Sequence, residues 1–185
     1  MDNNKPIILT IGGMSDKWLP HLNFRKGHKH FAGYMYSLRK PIFVLVKDPL
    51  KHTIFASRYG GGDTVMIDAW SLQLQLNEIA AMAKEVLFPK GGAVPAITEP
   101  SNFFKLEAGF CAFHEDGNKM SKKCDIRTPC RADFLICIHG VYTYDKAATG
   151  TPKMKLVVKA SQMKVTATAV AAAPKTQFAF DECML

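Results

Sequence analysis

Along most of this chain hydrophobic and polar residues alternate with a period of two, the mark of strands half-buried in a sheet. The alternation predicts strands over 7–11, 31–38, 41–46, 52–58, 64–68, 103–113, 132–144 and 154–165. Turn signals separate several of them: Gly12-Gly13, Gly60-Gly61-Gly62-Asp63, Asp116-Gly117-Asn118 and the loop 145–152. The longest run sets Phe134, Ile136, Ile138, Tyr142 and Tyr144 on one face. Its other face carries Asp133, Leu135, Cys137, His139, Val141 and Thr143. One segment breaks the rule. Leu72, Leu76, Ile79, Met82 or Ala83, and Val86 recur at helical spacing, which predicts a helix over 71–88, stopped by Pro89 and Gly91-Gly92.

Many strands of unequal length with one helix of about 15 residues predict a mainly β fold. A small β-barrel of the OB type leads, with a β-sandwich carrying a helical insert as the alternative. A length of 185 residues is that of a single domain. Residues 166–173 are of low complexity and Pro174 follows, so the reading is one OB-like domain over 1–173 and a mobile C-terminal tail over 174–185.

Charge changes the picture. Residues 17–58 hold nine Lys/Arg against one acid, Asp48, and residues 119–175 hold eleven Lys/Arg against three acids. Between them, residues 59–118 carry eight acids and three Lys. The formal net charge of +8 points to a polyanionic partner. Rings are interleaved with the cations of the first block, and cations with π-faces are what single-stranded nucleic acid requires of a protein. The candidate contacts from this block are Lys17, Trp18, Phe24, Arg25, Lys26, Lys29, Tyr34, Tyr36, Arg39, Lys40 and Phe43, with Trp18 and Phe24 as the first choices for base stacking. Residues 25–30 (Arg-Lys-Gly-His-Lys-His) read as a flexible basic loop. The second block adds Lys122, Lys123 and Arg127 from a loop. Lys153, Lys155 and Lys159 share one side of a strand, and Lys164 joins them only if a bulge within 160–163 resets the alternation.

Other chemistries have weaker signals. Cys111, His114, Cys124 and Cys130 are zinc-ligand types, but C-x2-H followed by C-x5-C matches no common zinc spacing, so no metal or other cofactor is expected. Asp63, Asp68, His114, Glu115 and Asp116 are scattered acids and a histidine rather than a nuclease motif, and no phosphate loop or nucleophile elbow is present. The expectation is a non-enzymatic protein. Five cysteines without framework spacing read as reduced thiols, and no leader-like or membrane-spanning apolar run is seen. An intracellular setting follows, cytoplasm or nucleus, including that of a virus-infected host, with no membrane partner.

The run Phe134-Leu-Ile-Cys-Ile-His-Gly-Val-Tyr142, a Gly/Pro loop, and the Lys-rich strand 153–165 resemble the OB-fold single-stranded-DNA-binding proteins of tailed phages and large DNA viruses. The pattern covers the last third of the chain; the mid-chain helix and the detachable end match the rest by arrangement. The resemblance implies sequence-independent binding of single-stranded DNA, or RNA, in replication or recombination. It leaves room for homo-oligomers and for replication proteins as partners. The tip here has two acids and ends in Leu185, unlike the strongly acidic, aromatic-ended tails of those relatives. The competing expectation is a viral structural or assembly protein whose basic surface contacts the genome.

Overall fold

The two longest apolar alternations pair with each other. In the computed structural model, which describes residues 7–10, 17–49, 51–55, 63–89, 94–120, 130–145 and 152–168, β8 (Cys130–Asp145) and β9 (Pro152–Thr168) form an antiparallel ladder. The other strands are β1 (Ile7–Thr10), β2 (His28–His30), β3 (Gly33–Val46), β4 (Lys51–Phe55), β5 (Thr64–Asp68), β6 (Ala96–Ile97) and β7 (Phe103–Phe113). All belong to one mixed sheet in the order β1-β3-β8-β9-β7-β5-β4, with β2 added to β3 and β6 to β9. The single described helix, α1 (Trp70–Leu87), falls within one residue of its expected bounds.

The mainly β class with one helix is therefore present, but the closed OB barrel is not. The path of paired strands begins at β1 and ends at β4, and these two do not pair. Nor do the described strands split into the two sheets of a sandwich. The sheet instead coils. The His52 ring on β4 lies 5.0 Å from that of Phe134 on β8, four strand positions away in the sheet order. At about 4.8 Å per strand, a flat sheet would hold those positions roughly 19 Å apart. The β4–β5 end thus folds over the face that bears Phe134, and α1 packs on the same core. Its first turn, Trp70-Ser71, stands beside Val46–Pro49, and Phe88 at its end meets Tyr36 at 6.0 Å.

Register explains the core. Ile42, Val44 and Val46 face Ile138, Ile136 and Phe134, and Phe134 faces Met163. Phe104 and Val65 continue the same face, and Leu72, Leu76 and Ile79 of α1 cover it. Trp18, just before a 3-10 turn at Leu19–His21, is 1% exposed and belongs to this core. Trp18→Ala should destabilise the fold by about 3–5 kcal/mol, the usual result of emptying a buried ring site, measurable by urea denaturation. His52 supplies a pH handle. Burial beside Phe134 lowers its pKa from the ordinary value of 6.5. A lowered folded pKa means that its contribution is present above about pH 6.5 and lost as pH falls through the folded value. Melts from about pH 8 down to about pH 5 should show falling stability, and His52→Phe should flatten that acid limb.

Two bulges decide which residues reach the opposite, helix-free face. The β8–β9 register shifts between Ile138 and Gly140 and again between Leu135 and Ile136. The first shift moves Val141 into the buried set with Met154 and Ala83, and turns Tyr142 and Tyr144 outward. The expected common face of Phe134, Ile136, Ile138, Tyr142 and Tyr144 is therefore split at His139. The second shift, at Ser161, sets Lys164 opposite Asp133 while Lys159 stays opposite Cys137, so both lysines share the outer face. Among the described residues no helix is long and apolar enough to cross a membrane.

Candidate nucleic-acid interface

Strands from the two basic blocks pair with each other, although among the described residues no Lys or Arg of the first block lines the groove on the helix-free face. β3, from the first block, pairs directly with β8, and β8 pairs with β9 of the second. Met35 lies opposite Tyr142, which lies opposite Lys155. Tyr142 and Tyr144 stack at 5.8 Å between centroids, and the Lys155 ammonium sits 5.7 Å over one ring and 5.8 Å over the other. This is cation–π geometry, which holds the long Lys155 stem against the sheet with its charge outward. The Tyr142 hydroxyl donates to the His30 carbonyl at 3.0 Å, and the Tyr144 hydroxyl lies 3.3 Å from that of Thr98. Both hydroxyls are thus engaged, and the two rings bridge β2 to the segment after β6.

A groove of about 830 Å³ runs over these residues. Phe31, Phe103 and Tyr142 line it, and so do Lys105, Lys155 and Lys159. Phe31 is 85% exposed and has a left-handed backbone (φ 50°) at the tip of the β2–β3 turn, with its ring 4.5 Å from that of His30. Phe103 is 51% exposed. Lys105 stands directly opposite Lys159 in the β7–β9 pairing. Like charges directly opposite each other repel. Glu99 on the rim is the acid in this lining. Arg131, part of the second basic block, is held away from the groove by a two-pronged ion pair with Asp48.

Of the sequence-predicted contacts, Lys153, Lys155 and Lys159 lie on this face, Lys155 exposed and the others half-buried. Phe43 is on the same face further along, half-buried between Ile8 and Cys137. The rest of the first block goes elsewhere. Trp18 is a core residue and has no face to offer a base, which corrects its assignment as a stacking ring; the next two residues, Leu19 and Pro20, are exposed instead. Phe24 is half-buried, bridged to Leu38 and packed on the core. Tyr36 faces the helix side against Phe88. Arg25 and Lys26 line a separate hollow of about 750 Å³ beside Val86 and Leu87. Lys29 and Tyr34, paired with each other, are exposed on the helix side of the sheet. Lys17, Arg39 and Lys40 are exposed outside the groove. Residues 28–30 of the expected basic loop form β2. Lys122, Lys123, Arg127 and the tail 174–185 lie outside the described residues.

Phe31, Phe103, Lys105 and Tyr142 were not singled out from the sequence. Phe31 was legible as a ring amid His30, Lys29 and His28. Lys105 and Phe103 sit in the acidic middle of the chain, and only β7–β9 pairing brings them to Lys159. Of the zinc-type quartet, Cys111 donates to the Gly109 carbonyl at 3.3 Å and His114 is exposed, while Cys124 lies outside the described residues. No protein-family model, no curated protein and no solved structure matches this chain.

Proposed function

We propose that this protein binds single-stranded nucleic acid without sequence preference, in the groove on the helix-free face. One observation carries the reading: Phe31, Phe103 and Tyr142 line a single groove together with Lys105, Lys155 and Lys159. Lysines track the phosphates and release their counterions, while the exposed rings of Phe31 and Phe103 stack bases of any identity. No catalytic step is assigned to the groove; its role is to hold a strand in an extended, accessible form. Replication and recombination are the settings that such binding would serve.

The test is fluorescence anisotropy of labelled oligo(dT) and oligo(U) across a salt series. Tryptophan quenching is the wrong readout, since Trp18 is buried and Trp70 sits at the start of α1. For three or four neutralised phosphates, log K should fall with log salt at a slope of about −2 to −3. Absence of binding at about 50 mM salt would overturn the reading. Duplex DNA binding as tightly as the single strand would remove the stacking component.

A further inference from the structure

We propose that Cys137, His139 and Glu107 form a site for one thiophilic divalent cation of the zinc class. Their ligand atoms all lie within 4.8 Å of one another. His139 Nε2 and Glu107 Oε1 are 2.5 Å apart. The cluster is shielded but reachable: the His139 and Glu107 side chains are 31% and 22% exposed, and Cys137 lies beneath them at 1%.

The fold builds this cluster from three irregularities. Cys137 and His139 are two apart on β8, so both project from the helix-free face, and the bulge falls at His139 itself. Glu107 opens the stretch of β7 where the register with β9 shifts, between Leu106 and Cys111. On β9, which runs between these strands, Ser161 is the bulged residue and Ala160 its neighbour. Ala160 faces the core, Lys159 is the β9 residue opposite Cys137, and Glu107 meets His139 across this strand. Three irregularities that converge on one Cys/His/Glu cluster are more than sheet packing requires.

The donor set selects the ion. Sulfur and imidazole favour zinc-class metals over Mg²⁺ or Ca²⁺, which take oxygen ligands. Three protein ligands leave a fourth tetrahedral position to water. Bonds of about 2.0–2.3 Å set ligand atoms about 3.3–3.5 Å apart, a spacing the cluster reaches by small side-chain rotations. On binding, the thiol proton leaves to solvent, sulfur bonds the metal, and the Glu107–His139 contact opens into two metal bonds. The thiolate and carboxylate together balance the dication. The ion would pin β7 to β8 across β9, beside the Lys159–Lys105 pair.

Full-length protein, stripped with a chelator, is titrated with Co²⁺ alone. The expected result is one Co²⁺ per chain, with a sulfur-to-cobalt charge-transfer band and intense tetrahedral ligand-field bands, both displaced by Zn²⁺. Cys137→Ser should remove the charge-transfer band, and Cys111→Ser should leave it intact. His139→Ala and Glu107→Gln, at half-exposed positions, keep the test open should Cys137→Ser fail to fold. Each should weaken Co²⁺ by more than the roughly 10–100-fold loss typical of an outer-sphere partner. Absence of the band at stoichiometric Co²⁺, its survival in Cys137→Ser, or unchanged affinity in both His139→Ala and Glu107→Gln would overturn the site.

Discussion

Replacing Lys105, Lys155 and Lys159 together by Ala is expected to flatten the salt dependence of oligonucleotide binding by about 2 in log–log slope, at about 0.7 per phosphate on a single strand. The three cations share one groove, and Lys105 faces Lys159 across a strand pair, so they act on the same few phosphates. Phe31→Ala should act differently. It should leave the slope unchanged and weaken binding by about 1–3 kcal/mol, roughly 5- to 150-fold, by removing one stacking platform. At 85% exposure the Phe31 ring contributes little to the core, so the melting temperature should hold. Arg25→Ala with Lys26→Ala is the discriminating control, since both line the other hollow beside the end of α1. A slope that drops in the control and not in the triple variant would move the interface to the helix side of the sheet. A slope unchanged in both would leave the groove without a role in phosphate binding.

Gly140→Ala is expected to destabilise the fold by on the order of 3 kcal/mol or more. A Cβ at this position would stand 2.1 Å from the Tyr36 carbonyl oxygen, and the backbone has φ 157°. The atom it meets is backbone in a strand pair, so relief means shifting β3 against β8 rather than rotating a side chain. Gly109→Ala is the matched control: a Cβ there meets nothing within 4 Å, and the effect should stay within about 0.5 kcal/mol. For a chain of this size, about 3 kcal/mol corresponds to roughly 6–12 °C in Tm. Gly140 also bears on the groove. It follows the bulge that turns Tyr142 and Tyr144 outward, so a variant that folds with altered β3–β8 register should lose the Tyr–Lys155 stack and bind oligonucleotide less tightly.

Much of the local structure was legible before any coordinates. Residues 64–68 and 103–113 are strands at their expected bounds, and α1 buries Leu72, Leu76, Ile79 and Ala83 as its periodicity requires, while Val86, expected on the same stripe, is exposed. The sheet's long strands were legible because a buried face leaves a period-2 trace in the residues themselves. Lys164 reaches the outer face through the bulge at Ser161, within the stretch 160–163 on which its side depends. What failed was any step that carried local composition across the chain. Trp18 stands between Lys17 and Leu19, and nothing in those neighbours tells that its ring will be buried in the core.

By itself, then, the sequence determined the element types, most of their bounds, the one helix, and the presence of two basic blocks. These follow from short-range regularities of backbone conformation and burial, which repeat within a few residues. Only the tertiary structure decided that the sheet coils without closing and that two single-residue bulges redirect Tyr142, Tyr144 and Lys164. It also decided that Lys105 meets Lys159 and that Glu107 meets His139. Each of these depends on strand order and register, and a one-residue slip in register moves every later side chain to the other face. Pairings between residues tens of positions apart are set by the packing of the whole core, and that information is not contained in any local stretch of chain.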